Sequence, residues 1–260
     1  YPVAFEYAGQ DTATVHITAN EGEAIENQII YGSVSGKKTD EDGKDLGGAV
    51  IGIFKTDTKE FTKETAIQTT TSKDDGSFSF AKVSYGTWVI REIESPKGFL
   101  LSEEEINVTI GKVDEVVEIE LVNYFIKGNI EMTKVDKDYP DNHLSGAVFE
   151  VYSDTNTDGK LDKDDKLLGE MTELDGGIYQ MKELRYGKYL VREKTAPTGF
   201  VLDEKVYSVS IEENGKTVTV ENEAGKGFVN AAQKGSLKIV KTSSDGKVEG
   251  FSFRVTGVNY

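Results

Sequence analysis

The stretch Gly32-Ser-Val-Ser-Gly-Lys-Lys38-Thr-Asp40 is repeated as Gly128-Asn-Ile-Glu-Met-Thr-Lys134-Val-Asp136, and it begins again at Gly235-Ser-Leu-Lys-Ile-Val-Lys241. Each copy places a lysine six residues after a glycine, within a run that has the composition of a strand. An asparagine precedes each glycine by five residues: these are Asn27, Asn123 and Asn230. Self-similarity at a fixed period predicts an array of tandem modules.

The repeat also sets the expected module boundaries. We predict complete modules at 32–127 and 128–234. Residues 1–31 are expected to form the C-terminal strands of a preceding module, and residues 235–260 the N-terminal strands of a following one. The connections between modules are short and are not rich in glycine or serine, which favours a semi-rigid rod.

Composition excludes several classes of partner. The 260 residues carry a formal net charge of −16, which argues against nucleic acid and anionic membrane surfaces as partners, because both attract basic patches. No apolar run approaches the roughly 20 residues of a membrane-spanning helix. There is no cysteine, so a disulfide framework is impossible.

Strand and turn signals dominate each module. Segments such as Ser77-Phe-Ser-Phe-Ala alternate apolar and polar residues, and turn sequences such as Asp74-Asp-Gly76 separate them. The second module repeats the plan, since Tyr186-Gly-Lys-Tyr-Leu-Val-Arg-Glu193 matches Tyr85-Gly-Thr-Trp-Val-Ile-Arg-Glu92. Short strands at this spacing predict an all-β chain with one immunoglobulin-like sandwich per module.

Five ordered elements together resemble a known family. They are the Gly-x-Val/Ile-x-x-x-Lys-x-Asp strand, Leu-x-Gly-Ala-x-Phe/Ile, Tyr-Gly-x-Tyr/Trp-x-Val/Ile-x-Glu, Pro-x-Gly-Phe, and a final strand ending in asparagine. This set is similar to the collagen-adhesin B-type domain, also called SpaA-type or prealbumin-like, of Gram-positive pilins and adhesins. The resemblance implies reverse-immunoglobulin sandwiches, and in many members a self-made amide bond from a first-strand lysine to a last-strand asparagine, promoted by a glutamate.

The resemblance assigns these roles to two sets of residues. Lys38, Glu92 and Asn123 form what we call the first triad. In the second module the matching positions form the second triad, which consists of Lys134, Glu193 and Asn230.

Physical chemistry is consistent with these roles. Burial lowers the pKa of a lysine and raises that of a glutamate, and only the neutral amine is a nucleophile. A protonated Glu92 is expected to donate to the Asn123 carboxamide oxygen and then to pass protons to the leaving ammonia.

The sequence leaves two alternatives open and suggests two incomplete triads. Lys37 lies next to Lys38 and is the alternative strand register in the first module. Asn222 competes with Asn230 as acceptor, because the stretch 221–227 has no counterpart before Asn123. Asn27 and Lys241 are expected to be halves of further triads.

The second module also contains a stretch with the spacing of a calcium loop, at 154–165. Oxygen side chains stand at loop positions 1, 3, 5, 9 and 12, and a glycine stands at position 6. The stretch resembles the EF-hand-like loop of dockerins, which also ends in aspartate, and it is interpreted as an insertion in the module. The expected calcium ligands are Asp154, Asn156, Asp158, Lys160 through its carbonyl, Asp162 and Asp165.

These observations predict a stalk or shaft segment of a Gram-positive cell-surface adhesin or pilus, located outside the cell. Its expected partners are neighbouring modules of the same chain. The alternative function is a ligand-binding module that contacts host matrix protein or glycan. We expect no enzymatic turnover, because each amide bond forms once.

Overall fold

The computed structural model describes residues 28–221 and 227–257. It contains sixteen strands and no helix within these ranges, which confirms the predicted all-β class. Accordingly, the described chain contains no helix that could cross a membrane. The strands are β1 (Tyr31–Asp40), β2 (Val50–Lys55), β3 (Gln68–Thr71), β4 (Ser77–Ser84), β5 (Gly86–Glu94), β6 (Ile106–Ile110), β7 (Val116–Asn123), β8 (Lys127–Asp136), β9 (Val148–Ser153), β10 (Lys166–Glu170), β11 (Thr172–Leu174), β12 (Ile178–Arg185), β13 (Gly187–Thr195), β14 (Val206–Ile211), β15 (Thr217–Thr219) and β16 (Phe228–Asn230).

The chain divides into two compact units, and the first contains β1–β7. One of its sheets has the strand order β4-β1-β7, and the other has the order β3-β2-β5-β6. Strand β1 pairs antiparallel with β4 and parallel with β7, so the first and last strands of the unit are neighbours. Apolar residues from both sheets form one core, as in a sandwich: Val34, Ile51, Ile53, Phe78, Phe80, Ile90, Ile110 and Leu121.

Strand β1 shows why a lysine lies inside this core. Side chains alternate between the two faces of a strand, and Val34, Lys38 and Asp40 all fall on the buried face. Gly36 lies on the same face, where a Cβ would overlap the ring of Phe78 at 2.0 Å. The glycine therefore lets the aromatic ring pack directly against the β1 backbone.

The second unit contains most of β8–β16 and repeats this plan. Its sheets have the orders β10-β9-β13-β14 and β11-β12-β8-β15, and β16 pairs in parallel with β8. Aromatic contacts join the two sheets, since the ring of Phe149 lies 4.9 Å from Tyr179 and 5.0 Å from Phe228. Each unit therefore places its last strand in parallel beside its first.

Equivalent hairpins of the two units have connections of equal length. Residues 56–67 join β2 to β3, and residues 154–165 join β9 to β10, so both connections have twelve residues. The interpretation of 154–165 as an insertion is therefore wrong relative to the first unit. The second unit has a different sequence at this place rather than additional residues.

Residues 235–257, the described part of the segment predicted to begin a further module, contain no strand. Several of their apolar side chains are exposed, among them Leu237, Val240 and Val255. A strand requires a hydrogen-bonded neighbour, and this segment pairs with no strand of the described chain. The predicted partial module at 1–31 lies mostly outside the described residues.

Candidate functional site

Strand register brings together the lysine and the asparagine of the first triad. In the parallel pair β1–β7, Lys38 lies opposite Leu121, and Asn123 lies opposite Asp40. Residues two apart on a strand share a face, so Lys38 and Asn123 both point into the core. Neither side chain is exposed, since the relative exposure is 0% for both.

The lysine amine of the first triad contacts the asparagine carboxamide directly. Lys38 Nζ lies 2.5 Å from Asn123 Oδ1, below the usual 2.7–3.2 Å of a hydrogen bond between nitrogen and oxygen. The amine also donates to the carbonyl oxygen of Leu121 at 3.2 Å. The amine nitrogen is thus held next to the carboxamide group.

Glu92 reaches the same carboxamide from β5, in the opposite sheet. Asn123 Nδ2 donates to Glu92 Oε1 at 2.8 Å and to Oε2 at 3.0 Å. The carboxyl group therefore faces the amide nitrogen, whereas from the sequence we expected it to donate to the amide oxygen. That nitrogen is the one that leaves as ammonia in an amide exchange, so the carboxyl group lies where a proton is needed.

The second triad has nearly the same geometry. Lys134 Nζ lies 2.5 Å from Asn230 Oδ1 and donates to the Phe228 carbonyl at 3.0 Å. Asn230 Nδ2 donates to the two oxygens of Glu193 at 2.9 and 3.0 Å. Two contacts distinguish this site, because Lys134 Nζ lies 3.5 Å from Glu193 Oε1 and 4.8 Å from the centre of the Phe228 ring.

Desolvation shifts both lysines and Glu92 towards their neutral forms. Burial lowers the pKa of Lys38 and of Lys134 to about 8, although the nearby glutamates favour the ammonium form. Burial also raises the pKa of Glu92, against the hydrogen bonds from Ser102 and Asn123. A lysine pKa lowered this far makes the neutral amine about 300-fold more abundant at pH 7 than in an ordinary lysine.

Backbone amides that we did not foresee hold the two glutamates. The Ser102 N–H donates to Glu92 Oε2 at 2.7 Å, and the Asp203 N–H donates to Glu193 Oε2 at 2.8 Å. Each donor lies ten residues after its glutamate and three after the phenylalanine of Pro-x-Gly-Phe, a shared spacing that could have revealed it. The backbone amide thus fixes Oε2 of each glutamate, while Oε1 faces the amide nitrogen of the asparagine.

The structure distinguishes Lys38 from its neighbour Lys37, the alternative lysine of the first module. Lys37 points away from the core, where it pairs with Asp45 at 2.8 Å and donates to the Asp75 carbonyl at 2.6 Å. It therefore does not reach Asn123. Lys241 is exposed and donates to the Thr242 carbonyl at 3.3 Å, while Asn27 and Asn222 lie outside the described residues.

The six residues of the predicted calcium loop lie in the β9–β10 connection. Asp154 is buried and accepts from the Gly159 N–H at 3.1 Å, while Asp165 accepts from Thr155 N–H at 3.1 Å and from Asp162 N–H at 2.9 Å. In the described residues, no three His, Cys, Asp or Glu side chains converge closely enough to hold a metal ion. The remaining predicted ligands, Asn156, Asp158 and Lys160, are exposed.

Comparison with protein families identifies the fold. The SpaA family of prealbumin-like fold domains matches residues 32–124 and again 128–225. The chain belongs to this family. Membership confirms the resemblance seen in the sequence motifs. The two matches contain five of the six triad residues, Asn230 being the exception.

The chain is similar to several solved structures, among them these three. The Bacillus anthracis TIE protein is 26% identical with a TM-score of 0.64, and the match covers 78% of this chain and 34% of that one. The minor pilin of Streptococcus agalactiae is 17% identical with a TM-score of 0.34, covering 81% and 100%. A variant of the shaft pilin SpaA of Lactobacillus rhamnosus GG is 15% identical with a TM-score of 0.33, covering 80% and 100%.

The SpaA-family chain thus spans about a third of the length of the TIE protein that it matches. None of the curated proteins with which it was compared matches it.

Proposed function

We propose that this chain is a stalk or shaft segment of a Gram-positive cell-surface adhesin or pilus, and that each triad closes into an intramolecular isopeptide bond. One observation carries the proposal. In both units a fully buried lysine Nζ lies 2.5 Å from an asparagine Oδ1, with a glutamate on the amide nitrogen. Membership of the SpaA family supports both the structural role and the cell-surface location.

The proposed reaction is an amide exchange that starts from the neutral lysine. The Lys38 amine attacks Cγ of Asn123, forming the new N–C bond and a tetrahedral centre. The carboxyl group of Glu92 gives its proton to Nδ2 and takes one from the attacking nitrogen. The Cγ–Nδ2 bond then breaks, one ammonia leaves, and the glutamate is returned to its starting form.

The surroundings of the site favour this reaction. Glu92 is 1% exposed, and its Oε2 is fixed by a backbone amide, so little reorganisation is needed when charge develops. The reacting groups are held in contact before reaction, which replaces an encounter in solution by an intramolecular step. The same argument applies to Glu193 and Asn230.

The closed bond would serve a structural role. It joins the first and last strands of each unit, so that neither strand separates without breaking a covalent bond. In our proposal each site reacts once, without turnover, and the partners are neighbouring modules of the same or another subunit. Binding of host matrix protein or glycan is the alternative, and affinity of the isolated chain for either would favour it.

Intact mass of the purified chain tests the cross-links. The wild type is expected to lack the mass of two ammonia molecules, one for each closed triad. Glu92→Gln and Glu193→Gln are each expected to restore one, because glutamine keeps the shape of the side chain but cannot shuttle the proton. Lys37→Ala is the matched control and should keep the full deficit, since Lys37 does not reach Asn123.

The location of each bond can be read from peptides. Digestion should yield a branched peptide that joins Lys38 to Asn123, and another that joins Lys134 to Asn230. A folded wild type with the unmodified mass would disprove the proposed cross-links. A branched peptide that joins Lys134 to Asn222 would assign the second cross-link to Asn222 instead of Asn230.

A further inference from the structure

The β9–β10 hairpin contains a buried carboxylate oxygen without a partner. Asp154 is 3% exposed, and its Oδ1 accepts no hydrogen bond from the described residues. Its other oxygen accepts from the Gly159 N–H at 3.1 Å. A buried polar atom without a partner costs free energy, and more so on a charged group. A positively charged ligand next to Oδ1 would remove this cost.

The Asp154 carboxylate faces into the loop that follows it. Gly159, its hydrogen-bond donor, stands at loop position 6 and has φ of +76°, the left-handed conformation that lets the chain turn sharply there. Asp165, at position 12, returns to the start of the loop and accepts from the Thr155 N–H at 3.1 Å. Positions 2 and 12 thus meet where the hairpin closes.

Other oxygen groups surround the same turn. Asn156 Nδ2 donates to Asp162 Oδ2 at 3.3 Å, which places position 3 beside position 9. Asp158 accepts from the Lys160 N–H at 2.8 Å through Oδ1. The carbonyl of Lys160, at position 7, completes the spacing with which a twelve-residue loop surrounds a calcium ion.

The loop also carries a net negative charge, since its aspartates outnumber its two lysines. Five aspartates lie within residues 154–165, and in the described chain none forms an ion pair with a lysine or arginine. The equivalent connection of the first unit, residues 56–67, also has two lysines but three acidic residues, Asp57, Glu60 and Glu64. A bound dication would offset part of this repulsion and give the free oxygen of Asp154 a partner.

We propose that residues 154–165 bind one calcium ion through Asp154, Asn156, Asp158, the Lys160 carbonyl, Asp162 and Asp165. This set consists of oxygen atoms and includes a backbone carbonyl, as expected for calcium rather than for a softer transition metal. The described carboxylates are not yet converged, so binding draws Asp158 and Asp162 inward around the ion. The site does not depend on the proposed cross-links.

Calcium binding would fix the end of the hairpin. Ser153 and Lys166 are paired at the end of β9 and β10, directly beside the loop. An ion held by residues near both strand ends ties them together, and it binds the folded loop more tightly than the unfolded one. Thermal stability of the second unit is therefore expected to rise with calcium concentration.

Calorimetric titration of the full, chelator-treated chain tests the proposal. We expect one site for calcium, with a dissociation constant on the order of 0.1–1 mM, as in extracellular modules, and weaker binding of magnesium. Asp154→Asn keeps the size of the side chain and should weaken calcium binding at least tenfold. Asp57→Asn, in the equivalent connection of the first unit, is the matched control and should leave binding unchanged.

A second variant covers the case in which Asp154→Asn fails to fold. Asp158→Asn is exposed, so it should fold normally and still weaken binding. Absence of any calcium heat up to about 10 mM, well above the weakest expected constant, would overturn the proposal. Equal binding by wild type and both variants would also overturn it, since it would indicate diffuse attraction to an acidic surface. Equal affinity for magnesium would overturn the assignment to calcium.

Discussion

The two triads have the same reacting atoms in the same places but different surroundings. Both lysines lie 2.5 Å from the asparagine oxygen. Beside Lys38, the last strand presents Leu121, whereas beside Lys134 it presents Phe228, whose ring centre is 4.8 Å from the amine. The ion pair of 3.5 Å between lysine and glutamate occurs in the second triad, and no counterpart is found in the described first triad.

This comparison shows that the geometry of each triad and the charge of its lysine depend on different features. Strand register positions the lysine and the asparagine, because both sites use the same parallel pairing of first and last strands. Burial lowers the pKa of both lysines, and neighbouring side chains adjust it, because an aromatic face and a close carboxylate both favour the ammonium form. We therefore expect the two sites to close with the same geometry but at different rates.

Replacement of the two lysines should have the largest effect on the stability of the two units. Lys38→Met and Lys134→Met keep most of the side-chain volume but remove the amine, so the cross-link cannot form. The lysine and asparagine are 85 and 96 residues apart, and loop-closure entropy gives a loss of about 4–5 kcal/mol in the free energy of unfolding of each unit. Denaturant unfolding measures this loss.

Trp88, the single tryptophan, reports on the first unit by fluorescence, and circular dichroism follows both units. Lys37→Met is the control and should change stability by less than about 0.5 kcal/mol, as is usual for exposed positions. Equal stability of Lys38→Met and the wild type would argue against a covalent bond in the first unit.

Much of each triad could be predicted from the sequence, because the lysine, glutamate and asparagine recur at matching positions in two modules. The outward position of Lys37 also follows from strand alternation once Lys38 is placed inside. The backbone donors at Ser102 and Asp203 were missed, because a main-chain N–H is not tied to a residue type and only their shared distance from Pro-x-Gly-Phe marks them.

Other features depend on contacts between distant parts of the chain. The burial of Asp154 results from packing of the hairpin, and a motif spacing does not report it. The segment 235–257 has the pattern of a strand, but a pattern alone cannot supply a neighbour for it. The equal length of the two hairpin connections became visible only when both pairs of strands were located.

A second difference between the units lies on paired strands β9 and β13. Glu150 faces Arg192 there, whereas in the first unit Gly52 faces Arg91. The hydroxyl of Tyr152, followed by Arg192 and Lys194, lowers the pKa of Glu150 from 4.5 to about 2. Glu150→Gln should destabilise the second unit by about 1–3 kcal/mol near pH 7, because charge-assisted hydrogen bonds are lost.

The sign of the pH effect follows from the lowered pKa. The carboxylate stabilises the folded state fully above pH 4.5, and this stabilisation is lost as the pH falls from 4.5 towards 2. Thermal unfolding of wild type and Glu150→Gln between pH 2 and 6 should therefore converge at the acidic end. A difference that stayed constant down to pH 2 would contradict the assigned ionisation.

The smallest expected effect concerns the influence of Phe228 on the charge of Lys134 in the second triad. Phe228→Leu gives this site the residue type of the first, and loss of the aromatic face should lower the pKa of Lys134 below about 8. More neutral amine would then be present at pH 7, and closure should be faster by about three- to tenfold. Refolding from denaturant, acid quenching at set times and intact mass give the rate.

The reverse substitution, Leu121→Phe, should slow closure of the first site if its fold tolerates the larger ring. The proposed reaction at the first site needs a neutral lysine and a protonated glutamate together, so its rate should fall at acid pH, where Lys38 is protonated, and again at alkaline pH, where Glu92 has lost its proton. Closure of the second site that was slower in Phe228→Leu than in the wild type would show that the ring acts through packing rather than charge.

The parallel pairing of first and last strands has a consequence for tension along the chain. When the two ends of a unit are pulled apart, parallel neighbours slide past each other, and all the hydrogen bonds between them are loaded together rather than one by one. A bond between Lys38 and Asn123 would carry the load from strand to strand and leave the 85-residue segment between them slack. If it were fully extended, that segment would lengthen the unit by about 300 Å, and the bond prevents this extension.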